Sequence, residues 1–101
     1  MVTFQNLDLS KNKLSGAPDS FAQLASLEIL ILDDNLFESI PESFGSLKCL
    51  KSFSVQRNRV KDMTALLTCT NLEVINLRRN QIKNLPIDLL LRLPKLRSCK
   101  N

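Results

Sequence analysis

The side chains of this 101-residue chain best suited to specific chemistry are four arginines, Arg57, Arg59, Arg78 and Arg79, and two adjacent carboxylates, Asp33 and Asp34. Guanidinium groups pair bidentately with carboxylates, so this set points to recognition of charge rather than to bond-making. Nucleophilic and metal chemistry lack their parts. The sequence holds no His, and its three cysteines, Cys49, Cys69 and Cys99, stand at no metal-ligand spacing. Gly16 and Gly45 are the only glycines, too few for a phosphate-cradling loop. Asp33 and Asp34 alone supply too few oxygens for calcium. The expectation is a protein that is not an enzyme and carries no cofactor and no metal.

What positions these residues is a recurring apolar pattern. Phe4, Leu7, Leu9, Asn12 and Leu14 are followed in register by Leu27, Leu30, Leu32, Asn35 and Phe37. Leu50, Phe53, Val55, Asn58 and Val60 come next, then Leu72, Ile75, Leu77, Asn80 and Ile82, while Leu96 and Cys99 open a fifth copy. The leading positions step by 23, 23, 22 and 24 residues. Alternation of apolar and polar residues in each copy predicts a short strand with one face inward. Each strand is followed by a return with its own apolar positions: Ala17-Pro18, Phe21 and Leu24; Ile40-Pro41, Phe44 and Leu47; Met63, Leu66 and Cys69; Leu85-Pro86, Leu90 and Leu93. Proline cannot donate to a strand ladder, so it marks where pairing has ended. Cys69 and Cys99 therefore read as small core residues, whereas Cys49 falls in a return loop. Asn12, Asn35, Asn58 and Asn80 read as buried polar members whose amides satisfy backbone groups of the turn and the next coil.

The order L-x-x-L-x-L-x-x-N-x-[L/F], carried most fully by LEILILDDNLF at 27–37, resembles the leucine-rich repeat superfamily. The second copy, with its Ile40-Pro41 and Phe44, is similar to intracellular repeats of the Ras-suppressor and Scribble type. The shorter third copy looks like phosphatase-regulatory repeats, and LDLSKNKLSGAPDSF in the first is similar to plant-receptor repeats. The resemblance implies an α/β solenoid: a curved, parallel β-sheet on the concave face with short helical or irregular returns on the convex face. It implies one domain of repeats 4–26, 27–49, 50–71 and 72–95 with a partial repeat at 96–101, expected to be a fragment or an uncapped array. It also implies a non-catalytic module that binds a partner protein through the concave face. The alternative is a set of structural spacer repeats in a larger receptor or signalling protein.

Stacked in this way, Ser10, Asp33, Gln56 and Arg78 share one column, Lys11, Asp34, Arg57 and Arg79 a second, and Lys13, Leu36, Arg59 and Gln81 a third. The expected partner-binding set is Ile29, Ile31, Asp33, Asp34, Leu36, Arg57, Arg59, Arg78 and Arg79, with an acidic protein as the expected partner. Net charge is +4, but residues 1–50 carry three Lys against seven acids and residues 51–101 eleven Lys or Arg against three. In a solenoid that split makes one end acidic and the other basic, so head-to-tail self-association is expected. With no Trp or Tyr and its Phe residues in core columns, the chain offers no base-stacking platform, and nucleic acid is not an expected partner. No apolar run approaches membrane-spanning length. No signal peptide or glycosylation sequon is written, and the cysteine count is odd, so a cytoplasmic location is expected.

Overall fold

Among the described residues, five three-residue strands lie side by side in chain order: β1 (Asn6–Asp8), β2 (Ile29–Ile31), β3 (Ser52–Ser54), β4 (Val74–Asn76) and β5 (Ser98–Lys100). The computed structural model describes residues 5–16 and 23–101. Phe4, Ala17, Pro18 and Phe21, assigned above to core columns, lie outside the described residues. All four strand pairs are parallel, and Leu7, Leu30, Phe53, Ile75 and Cys99 stand directly opposite one another. Parallel neighbours need a crossover. Here it is the return, made as a 3-10 turn at Glu42–Ser46 and Thr64–Thr68 and as one turn of α-helix, α1, at Leu89–Arg92.

Between sheet and returns lies one core. Leu27, Leu30, Phe44, Leu47, Leu50, Leu66, Cys69, Leu72, Ile75, Leu77 and Leu93 are fully enclosed. Phe44 and Phe53 meet edge to face at 6.1 Å, which joins the return of the second coil to the strand of the third. Gly45 is required by close stacking of the returns: a Cβ there would stand 2.5 Å from Thr68 Oγ1, which itself donates to the Gly45 carbonyl.

The asparagines link the coils. Asn58 Nδ2 donates to Val55 O in its own coil at 3.0 Å and to Leu32 O in the preceding one at 2.9 Å, while its Oδ1 accepts from Phe37 N at 3.0 Å. Asn35 repeats this with Leu32 O and Leu9 O and accepts from Asn12 N and Leu14 N. Asn80 donates to Leu77 O and Val55 O and accepts from Val60 N. Asn35 and Asn58 are buried as expected, but Asn80 is half-buried and Asn12 exposed. The described bonds of the Asn12 amide reach only Leu9 O and Ser10 O, so it closes its own turn.

The fourth return corrects the sequence reading at one position. Leu90 is 71% exposed, and Leu89 takes the core place instead. In the second and third coils the 3-10 turn spaces its core residues by three, with Leu47 N bonded to Phe44 O and Cys69 N to Leu66 O. In the fourth, the extra residue is absorbed by an α-turn, Leu93 N bonding Leu89 O, so the spacing becomes four.

Just before the strands runs a column of alternating charge: Glu28, Lys51, Glu73 and Arg97, joined by successive backbone bonds. Lys51 and Glu28 pair at 3.4 Å, and Arg97 and Glu73 at 3.5 Å.

Leu89→Ala should destabilise the fold by about 2–5 kcal/mol while Leu90→Ala changes it by no more than about 0.5 kcal/mol, as read by urea unfolding. Equal effects would return Leu90 to the core. Asn58→Ala should cost about 1–3 kcal/mol by the same measurement, because buried backbone groups of two coils lose their partner.

Candidate functional site

The open face of the sheet consists of the strand positions that alternate with the core. In register they are Asn6, Ile29, Ser52, Val74 and Ser98 in one column and Asp8, Ile31, Ser54, Asn76 and Lys100 in the next. Ile29 and Ile31 are half-buried, and beyond the strand Leu36 is 39% exposed. Val74, 37% exposed, adds a second apolar point that the sequence reading omits, although its register with Ile29 and Ser52 marks it. The small residues Ser52 and Ser54 separate the two, so the apolar surface dips on β3.

Past the strands the chain turns sharply. Lys11, Asp34, Arg57 and Arg79, one column of the solenoid, all adopt left-handed backbone with φ between 55 and 60 degrees, as does Lys13 at 57. For L-residues this conformation costs about 1–2 kcal/mol, a cost that glycine escapes. Long charged side chains at such positions are therefore not the choice that backbone stability alone would make.

The carboxylates of the expected set are engaged within the protein. Asp33 Oδ1 accepts from Ser54 Oγ at 2.6 Å and from Gln56 N at 2.8 Å, which fixes the neighbouring strand end. Asp34 is gripped bidentately by Arg57, Nε to Oδ1 at 2.6 Å and Nη2 to Oδ2 at 3.1 Å. That hydrogen-bonded pairing holds the Asp34 carboxyl below its ordinary range and raises the Arg57 guanidinium above its own. On β1, the Ser10 hydroxyl and amide do the same for Asp8, lowering it. Arg59, Arg78 and Arg79 differ: all three are exposed, and among the described residues their side chains make no ion pair or hydrogen bond. The structure thus brings Asp34 and Arg57 together and leaves three arginines turned to solvent.

The cysteines are all free. Cys69 is fully buried with its thiol donating to Phe44 O at 3.1 Å, and desolvation pushes it up to about 11. Half-buried Cys99 is raised by the same cause, while Cys49 is exposed. Among the described residues no group of three or more His, Cys, Asp or Glu could hold a metal ion, and no helix is long and apolar enough to cross a membrane.

A family model described as Leucine rich repeat matches residues 3–60, and a second matches residues 71–93. The chain belongs to the leucine-rich repeat family. Leucine-rich repeat domains serve in general as protein-interaction modules and are typically non-catalytic. The chain is similar to the MAP kinase phosphatase with leucine-rich repeats protein 1 of Dictyostelium discoideum, 38% identical over 85 residues that make 79% of this chain and 10% of that protein. It is similar also to the mouse leucine-rich repeat transmembrane protein FLRT2, 36% identical over 99 residues, 94% of this chain and 15% of that one. Among solved structures, a leucine-rich repeat protein of Leptospira interrogans superposes with a TM-score of 0.81 at 29% identity, over 93% of this chain and 24% of that chain. The chain thus spans only 10% and 15% of the length of these two curated relatives.

The raised Cys69 thiol fixes the sign of a pH effect. Unfolded, the thiol ionises near its ordinary 9.0, before the folded one does near about 11. Stability drawn from the neutral buried thiol is therefore complete below pH 9 and lost as pH rises toward 11. The stability advantage of the native chain over Cys69→Ala should shrink across that window in denaturant titrations. A constant difference would mean that the thiol is not desolvated.

Proposed function

We propose that this leucine-rich repeat domain is a non-catalytic recognition module that binds a partner protein through the concave face. The observation that carries the reading is the paired apolar surface of Ile29, Ile31 and Val74 around the low serine positions of β3, beside arginines without intramolecular anions. Exposed aliphatic residues with adjacent arginine are the composition of interface centres. Asp33 acts in this reading by fixing Ser54 and Gln56, and Asp34 by orienting Arg57, so both shape the surface more than they touch the partner. Leu36, Arg59, Arg78 and Arg79 supply contact and attract an acidic partner. Nucleic acid and membrane lie outside this reading, and the location is cytoplasmic. Self-association extends it: Asp8 on β1 and Lys100 on β5 close the same column with opposite charge, which suits head-to-tail contact.

The small share of each relative that the chain covers favours a second reading, in which these coils are spacers within a larger protein. Site-specific photocrosslinking separates the two. A photoreactive residue at Ile31 or Val74 should capture one discrete partner protein, and one at Glu42 or Leu90 on the returns should not. Affinity for that partner should then fall at least about tenfold in Val74→Asp, equivalent to about 1.4 kcal/mol, with the melting temperature unchanged. Crosslinks only from the returns would move the surface to the convex side. No crosslinks from any position would favour the spacer reading.

A further inference from the structure

The cations on the turn edge of the third and fourth coils extend the proposed partner-binding set beyond the strands, from Arg59 and Arg79 to Lys61 and Lys83. Over residues 57–62 and 78–84 the chain carries six Lys or Arg and one acid, Asp62. Arg57 is committed to Asp34, and Asp62 accepts from Thr64 N at the start of its return. Arg59, Lys61, Arg79 and Lys83 are exposed, and none of their side chains has an anionic partner among the described residues. The two coils are locked in register here, with Gln81 N bonded to Val60 O at 2.8 Å and Val60 N to Asn80 Oδ1 at 3.0 Å. Between them lies an open groove of about 580 Å³ lined by Lys61, Asp62, Gln81, Lys83 and Asn84. Its two ammonium groups and two amides offer donors to an anion, and its apolar side chains are turned into the core, Val60 and Ile82 being buried.

We propose that this edge binds an acidic segment of a polypeptide, its carboxylates reaching Arg59 and Arg79 at the turn and Lys61 and Lys83 in the groove. Charge complementarity argues for the occupant, because the edge holds exposed cations without anionic partners among the described residues, on two coils joined by hydrogen bonds. A peptide fits better than a nucleic acid, since the edge carries no aromatic side chain on which bases could stack. For Arg59 and Arg79 the inference rests on the proposed recognition role; Lys61, Lys83 and the groove lie outside the strands and are its addition.

Fluorescence anisotropy with a labelled octaglutamate peptide at low ionic strength tests it. The native chain should bind saturably, and binding should weaken steeply with added salt. Arg79→Gly combined with Lys83→Gln should lower affinity at least tenfold, with a melting temperature unchanged or raised. Lys48→Gln with Lys95→Gln removes the same charge from the opposite, descending side and should change affinity less than twofold. Should Arg79→Gly disturb the fold, Arg59→Gln with Lys83→Gln carries the same comparison. Val74→Asp, which probes the concave face, should leave octaglutamate binding within the range of the control pair. Three results would overturn the proposal: no saturable binding by the native chain, equal losses in edge and control variants, or tighter binding of a twelve-residue oligothymidylate than of octaglutamate.

Discussion

The second, third and fourth coils of this chain are each fastened to the preceding one through a carboxamide, and the rest of the structure depends on that bond set. A coil of three-residue strand, turn and return cannot enclose its own inner face, so its apolar residues are covered only by the next coil. The stacking distance is fixed where Asn35, Asn58 and Asn80 donate both to their own turn and to the carbonyl of the coil before. Hydrophobic burial is non-directional and could be met by several offsets. The amide cannot, because its one NH2 group must reach two carbonyls on two coils at hydrogen-bonding distance. Register, core columns and surface columns all follow from it.

Most of the fold was legible because the signal recurs. The register of Leu7, Leu30, Phe53, Ile75 and Cys99 is the one that the repeat pattern gives, and the 22-residue coil keeps it by shortening the return. Leu89 and Leu90 were not separable in this way. In a run of three leucines the pattern does not say which one faces inward; the choice depends on whether the turn closes through three residues or four. Asn12 illustrates a different loss. Its residue type matches the column, but with Asn35 behind it as acceptor of its own amide, its side chain closes one turn rather than bridging two coils.

The surface was less legible than the core because charges that share a column need not be available. From sequence, Asp33, Asp34 and Arg57 look like a recognition cluster. In the structure Asp33 is saturated by Ser54 and Gln56, and Asp34 closes on Arg57. Positive charge is therefore left over on the third and fourth coils, and its location follows from which anions are consumed. Lys61 and Lys83 belong to that surplus although neither lies in a strand. Their register is visible only when the ascending segments after Asn58 and Asn80 are stacked.

The alternating column of Glu28, Lys51, Glu73 and Arg97 gives the array a parity. Apolar and asparagine columns repeat with every coil, yet this one repeats with every second coil, so its true unit is a coil pair. Removing the third coil alone would set Glu28 against Glu73 across one strand spacing, where like charges oppose stacking. Removing the third and fourth coils together would place Glu28 beside Arg97 and leave the sequence of signs intact. Lengthening or shortening such an array is therefore least disruptive in even steps, a constraint invisible to any count of leucines.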